Sequence, residues 1–578
     1  MPLVDVLAAE ELSPARPCVV EVEGRRIMLV RRDDDIHALD DECPQDGFPL
    51  SIGEIAGDAI RCEKHGGRFE LSTGRCLRGG EDVRRYHARE EAGRVLVQVD
   101  EPLQEVEQAR LVGSLRSALI DDDQPRLARE CVRLLAAKAE PRDIVRAAVR
   151  YGAERGAGGF HPALAACADF ARVAPLYRGL EQAIALTQAL VGVAIANRGR
   201  SQRPIPERAA GVLTGTADAR RQRFAHLVEE RDAEGAEAML SGALYQGLAL
   251  SEGQQWVLSV AAAHLIDGGQ TLVHAVKALE LCEMLGAREA IHVLPSLVPS
   301  LVYGIRRERM APLRALSELL EQGRDSLPLL VSRADPALRQ PFDDRAIRAT
   351  LLEGSVTQAY EAVHDALGAG VPARRIALAV ALTAAERALH FDDLREWNDA
   401  AEDSWSDALR PFAYAVAAMK AVERWPSGES LRALFYAAGL VQAGKALEGH
   451  RMKAIRSIVA SPNASDVLGA IVTAMRALRD GEAVALARGY LERGHDPWRL
   501  GETLARFTVE DALPSQSAVE VGVATTIAAV DAWEAAGAHP DATVPLLLAV
   551  RVLASDSRQR WVQRHVRRAM ARTRPLKP

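Results

Sequence analysis

Two hydrophobic patterns divide the chain. Over residues 1–102 apolar residues fall in short β-branched runs: Cys18-Val-Val-Glu-Val-Glu23, then Gly24, then Arg26-Ile-Met-Leu-Val-Arg31 predicts a hairpin. Asp33 to Asp35 supply a turn before Ile36-His-Ala-Leu-Asp40, a further short strand. Ala59–Arg61 and Arg68–Leu71 read as strands bracketing two loops, and the alternation over Val95–Val99 closes the region. From about residue 103 the strand pattern gives way to helical periodicity punctuated by Pro and Gly. Pro125 and Pro141 stand at predicted helix starts, where a missing N–H costs little. Leu180 to Asn197 is apolar nearly all round and is expected to be a central buried helix. Gly199 to Gly215 is the clearest loop, and further breaks fall at Asp267-Gly268-Gly269, at Pro295 and Pro299, and between Gly323 and Asp343. No fixed repeat of solenoid length is present, which disfavours a regular helical array. The expected fold class is α+β and multidomain, a small antiparallel-β domain over 1–102 followed by a large all-α region in two halves, 103–330 and 331–578. A last helix is predicted over Asp556–Arg572, with Val562, Val566 and Met570 as a docking stripe beneath a solvated arginine face.

Length and composition sharpen this division. A chain of 578 residues is too long for one core. Hydrophobic residues make up 48% but aromatics only 4%, so the core is built from Ala, Leu and Val, as helical proteins are. A net charge of −7 leaves no nucleic-acid or membrane footprint. Seven of the 72 basic residues are lysine, so arginine clusters carry less information here than usual. The seven cysteines, at 18, 43, 62, 76, 131, 167 and 282, form no regular array and follow an acidic N-terminus. They read as thiols of a cytoplasmic protein. The most apolar window, Leu180–Ala196, holds Glu181, Gln182 and Gln188 and falls short of a membrane span.

The chemistry of the β region concentrates between Cys43 and Gly74. Cys43-Pro-Gln45 is followed, after 16 residues, by Cys62-Glu-Lys-His65-Gly66, and then by Arg68-Phe69-Glu70 and Ser72-Thr73-Gly74-Arg75-Cys76. This layout resembles the Rieske iron–sulfur domain, with its Cys-x-His, spacer and Cys-x-x-His-Gly pattern. The resemblance implies a [2Fe-2S] cluster with Cys43 and Cys62 as thiolates on one iron and His65 as an imidazole on the other. Gln45 stands where the second imidazole belongs, and its neutral amide oxygen is a weak, hard donor. Three outcomes remain open: weak ligation by Gln45, a fourth ligand from Cys76, or loss of the cluster.

In the helical region the chemistry-bearing residues are histidines and one lysine. His161 lies at a helix start in Gly159-Phe160-His161-Pro162, and His292 ends a short helix before Pro295. His264 precedes the Gly268-Gly269 break, and His274 and Lys277 follow it three residues apart, on neighbouring helical positions. Histidines converging from separate helices are how metal sites form in helical bundles. A lone histidine in a helical core is more commonly structural, and a buried lysine either reaches solvent or is chemically special. Phe160-His161, Ala261–Ala278, Val293-Leu-Pro-Ser-Leu-Val-Pro299 and Leu434–Glu448 resemble the helical part of bacterial proteins in which a Rieske domain precedes a questin-oxidase-like region. That resemblance implies a non-haem-iron oxygenase acting on an aromatic, polyketide-like small molecule, with iron held mainly by histidines. It would make His161, His264, His274 and His292 metal ligands and Lys277 a catalytic residue. Gln270 stands where the resemblance implies a further histidine, and another is implied near Arg410, within Leu409-Arg410-Pro411-Phe412.

The first expectation is therefore an oxidoreductase with a small-molecule substrate and a reductase as electron donor. The alternative is a relative that keeps both folds, has lost one or both metals, and serves as a binding protein or partner subunit.

Overall fold

The computed structural model describes residues 3–555, apart from 15, 34, 46, 78–80, 100–103, 157, 204–205, 334–341, 397–402, 511–512 and 514. The predicted arginine-rich helix Asp556–Arg572 lies outside the described residues. Two compact units result, Met1–Ala147 and Ala148–Pro578.

Among the described residues the first unit holds nine strands: β1 Val4–Ala8, β2 Cys18–Val22, β3 Arg25–Arg32, β4 Asp35–Asp40, β5 Glu54–Ala56, β6 Ala59–Arg61, β7 Arg68–Glu70, β8 Arg85–Glu91 and β9 Arg94–Gln98. Six of them form an antiparallel sheet in the order β1-β9-β8-β4-β3-β2, and β5-β6-β7 form a second, three-stranded one. The β2–β3 hairpin is as expected. Val22 pairs with Arg25 across Glu23-Gly24, whose φ values of 52° and 76° are those of the tight turn that matches strand twist. Three strands left no sequence signal. β1 and β5 are short, and β8 reads Arg-Tyr-His-Ala-Arg-Glu-Glu, with mostly exposed side chains that need no apolar alternation.

Two apolar cores fill this unit. One gathers Ile27, Leu29, Ala38, Val95 and Val97; the other gathers Met28, Val30, Leu39, Leu50, Ile60, Phe69 and Leu71 together with Cys43 and Cys62. The opposite faces of β3 serve the two cores, as its alternation dictates. Helices Gln104–Asp121 and Gln124–Ala136 complete the unit. Glu81 ties both to the β region by accepting from Ser114 and pairing with Arg110 and Arg126.

Among the described residues, the regular elements that lie wholly in the second unit are helices. Leu180–Ala196 is a helix with mostly buried residues, and the described residues between it and its successor at Ala217 carry no helix, both as expected. Helices Pro162–Val173, Gln270–Leu285, Trp405–Arg424 and Gln516–Ala536 pack on one another across the predicted division at 330. The Gln270 and Trp405 helices run in the same direction, since Gly268 meets Arg410 and Glu283 meets Arg424. Gly269, at φ +97°, is required at that crossing: a Cβ there would stand 2.2 Å from the Tyr414 ring. Among the described residues no helix is long and apolar enough to cross a membrane.

Candidate functional site

The strand pair β5–β6 and the turns around it carry the two cysteine loops. Asp41, fully buried, anchors the chain ahead of the first loop. It accepts the Ser51 N–H at 2.7 Å and the Arg26 guanidinium at 2.9 Å. Each loop then closes on itself through backbone bonds, Gly47 N to Cys43 O and Gly66 N to Cys62 O, both 2.8 Å. Gly66 takes φ +69°, which a side chain would resist. Cys43 and Cys62 are buried, and the sulfur of each lies 3.6 Å from Nδ1 of His65. Among the described residues these three are the group of His, Cys, Asp or Glu donors close enough to share a metal, all within 4.8 Å of one another. Arg129, from the second helix of the same unit, donates to the Cys43 carbonyl at 3.1 Å while its guanidinium is paired with the buried Glu130.

The other two expected ligands stand elsewhere. The Gln45 side chain is exposed. Cys76 pairs with Phe69 as an isolated bridge and donates its N–H to Asp82 at 2.7 Å, and its thiol lies outside the donor group. A two-iron cluster with thiolates on one iron and imidazoles on the other separates sulfur from nitrogen by about 5–6 Å across the diamond. The observed 3.6 Å is too short for that, and among the described residues no second imidazole joins the group. The residues present do not fit a two-iron cluster held in the usual way.

The helical unit contains a cavity of about 430 Å³. Its walls come from the Pro162, Gln270, Trp405 and Gln516 helices, and it exists because alanines face it: Ala165, Ala166, Ala413, Ala417, Ala524 and Ala528. Helix direction gives it two polar ends. Gln270, Ser406, Arg410, Ser517 and Glu520, from the first two turns of their helices, line the solvent-facing end, while Lys277, Lys420 and Asp531 line the floor. The floor is a charge-balanced network: Lys277 donates to Asp169 at 2.6 Å and Glu280 at 3.0 Å, Lys420 pairs with Glu280 and Asp531, and Arg172 donates to Asp531 at 2.7 Å. Burial alone would discharge Lys277, but Asp169, Glu280 and Asp531 outweigh it and raise its pKa. Lys277 is thus a fixed charge in an ion network, not a neutral amine poised to react.

Glu520 is the titratable group that sequence reasoning passed over. Burial lifts its carboxyl to about 7, opposed only in part by a hydrogen bond with Gln516. Its signal was present, because Glu520 and Asp531 stand three turns apart, and so on one face, of a largely apolar helix. Lys420, Asp169 and Asp531 were also missed, since nothing local announces that they meet.

The four expected histidine ligands do not assemble. His274 lines the cavity, 3.4 Å from Gln270 through Nε2 and bonded to the Phe160 backbone; burial brings its pKa down to about 4. His161 lies near it and is lowered to about 4, first by burial and then by His274; its Nε2 is 3.1 Å from Asn197 Nδ2. His264 does not turn back toward this pair, because Glu308 and Glu229 hold its two ring nitrogens at 2.9 and 3.0 Å. His292 is half-buried and does not line the cavity. Both histidines are therefore neutral; His274 lines the cavity beside Gln270, while His161 is held through Nε2 alone and its buried Nδ1 has no hydrogen-bond partner among the described residues.

Comparison with known proteins bears on the first unit. Residues 3–86 match the Rieske [2Fe-2S] domain family. The chain is 30% identical over 96 residues to the ferredoxin component of the naphthalene 1,2-dioxygenase system of Pseudomonas aeruginosa, spanning 92% of that protein and 16% of this one. It is 27% identical over 99 residues to the ferredoxin component of the naphthalene 1,2-dioxygenase/salicylate 5-hydroxylase systems of Ralstonia sp, 95% of that protein and 17% of this one. Among solved structures, the ferredoxin of carbazole 1,9a-dioxygenase from Nocardioides aromaticivorans IC177 is 28% identical, covered in full by 17% of this chain, with a TM-score of 0.17. Through its N-terminal domain, the chain belongs to the Rieske [2Fe-2S] domain family.

Proposed function

We propose that this protein serves an oxygenase-type oxidoreductase system, and that its helical unit binds an apolar, ring-sized small molecule. The observation that carries this reading is the cavity: about 430 Å³, apolar at its sides and polar at both ends. That volume and lining are those of sites for small organic ligands. The alanine walls accept a flat, hydrophobic body of two or three fused rings. Arg410 and Ser517 at the open end and Lys420 on the floor can donate to phenolic or carbonyl oxygens, and Glu520 at the open end offers or takes a proton near neutral pH. The family of the N-terminal domain supports the association with oxygenase systems, because its relatives include ferredoxin components of dioxygenases.

The test is binding by the full chain of a panel of hydroxylated two- and three-ring aromatics, measured by calorimetry. Ala524→Phe, which fills the cavity from its wall, is expected to weaken binding at least tenfold while the fold is kept. If no compound binds, or if Ala524→Phe binds as wild type does, the reading fails.

A second reading keeps oxidation inside the chain, with non-haem iron near His161 and His274, as the questin-oxidase-like resemblance implies. It is favoured by the proximity of those two histidines beside Phe160. The unpartnered, buried Nδ1 of His161 also supports it, whereas the diversion of His264 by Glu308 and the place of His292 away from the cavity favour binding over oxidation. Iron bound by the full chain and lost in a His161→Ala, His274→Ala double variant would favour the second reading.

A further inference from the structure

The two cysteine loops are near copies in their backbone. In each, the cysteine N–H donates to the carbonyl five residues on, Cys43 to Phe48 and Cys62 to Gly67, and the cysteine carbonyl accepts from the residue four on, all at 2.8 Å. Gln45 stands two residues after its cysteine, as Lys64 does after the other, and both side chains are exposed. Matching turns therefore set two thiols together, and only the second loop contributes an imidazole.

The spacing of those donors fixes how many metal ions they can serve. With metal–sulfur and metal–nitrogen bonds of about 2.3 and 2.0–2.1 Å at a tetrahedral angle, sulfur and nitrogen on one ion lie about 3.6 Å apart. On opposite irons of a two-iron cluster they lie about 5–6 Å apart. Both sulfurs are 3.6 Å from His65 Nδ1. The geometry points to a site for a single tetrahedral divalent metal, zinc being the best match, held by Cys43 Sγ, Cys62 Sγ and His65 Nδ1, with the fourth position taken by water or the Gln45 amide.

The donor chemistry agrees. Thiolate with imidazole is the zinc set, and an amide oxygen or water completes it more readily than it completes an iron–sulfur cluster. Two thiolates and a neutral imidazole cancel the charge of a divalent ion, which suits cysteines that are 1% and 0% exposed. Binding exchanges two thiol protons for one metal ion and involves no oxidant or reductant. The metal would pin β5–β6 to the Cys43 loop across a gap of 18 residues between the cysteines, stabilising the domain where a cluster does so in ordinary members of the family. This inference stands apart from the cavity reading and survives its failure.

The experiment is metal and acid-labile sulfide analysis of the full chain purified anaerobically, followed by exchange into cobalt. The expected result is one zinc, or one iron without sulfide, per chain. Cobalt should give the visible bands of a tetrahedral thiolate site, with two protons released per cobalt bound by the thiol form. His65→Ala is expected to weaken metal binding by 10-fold or more, about what loss of one ligand or its support does. Cys76→Ser should leave stoichiometry and cobalt spectrum unchanged. Two irons with two sulfides per chain, failure of the folded wild type to take up zinc or cobalt, or loss of the cobalt spectrum in Cys76→Ser would each overturn the assignment.

Discussion

Asp531 offers the sharpest test of the helical architecture. Its side chain is 10% exposed and holds Arg172 and Lys420 together beneath the cavity. Asp531→Asn keeps the shape and removes one of three carboxylates, leaving Lys277, Lys420 and Arg172 facing only Asp169 and Glu280. Removing one partner of a buried pair costs about 3–5 kcal/mol. Arg172 is 31% exposed and the network borders a cavity, so the lower end, about 3 kcal/mol, applies here. That is about two decades in the unfolding equilibrium constant. Urea unfolding followed by far-UV circular dichroism measures it. The double variant Asp531→Asn with Lys420→Met restores charge balance, so the two losses should be non-additive by about 2 kcal/mol. Neighbouring cations hold the Asp531 carboxyl below its ordinary range, against the opposing effect of burial. Its stabilisation is therefore complete above the unfolded-state pKa of an aspartate and is lost as pH falls through the lower native value. A loss under 1 kcal/mol, or strict additivity of the pair, would refute the network as a structural element.

Three further outcomes are expected. Glu520, lifted by burial to about 7, favours the folded state when protonated, so its contribution is fullest below pH 4.5 and is lost as pH rises through 7. Glu520→Gln should flatten that slope and raise stability at pH 8 by up to about 3 kcal/mol, read from unfolding at pH 5 and pH 8; an unchanged slope would dismiss the shift. His264 is raised because Glu229 and Glu308 overcome the desolvation that would lower it. Its stabilisation is present below pH 6.5 and lost as pH rises through the higher native value, and His264→Gln should abolish that loss in a thermal melt series. Gly269→Ala forces a Cβ toward the Tyr414 ring at a φ of +97°, and should cost at least about 2 kcal/mol in unfolding free energy, whereas Gly158→Ala, with nothing within 4 Å, should cost little.

What the chain determines by itself is local. Short alternating runs and a Glu-Gly turn were enough for the β2–β3 hairpin, and Cys62-x-x-His65-Gly66 was enough for the family, because each depends on neighbours a few residues apart. The helical character of the remainder followed from Ala/Leu periodicity, and the position of the Leu180 helix from its apolar surface. Tertiary structure decided the rest. β8 joins a sheet through backbone pairing that its polar side chains do not announce. Lys277 looked reactive in its helix, yet Asp169, 108 residues away, and Glu280 make it a fixed charge. His264 looked like a ligand, yet Glu308, 44 residues on, holds it. The substitution at Gln45 is visible in the sequence, but only the coordinates show two sulfurs and one nitrogen at the spacing of a single ion. Charge state and coordination number depend on distances between groups far apart in the chain, and those distances are set by packing that no local pattern encodes.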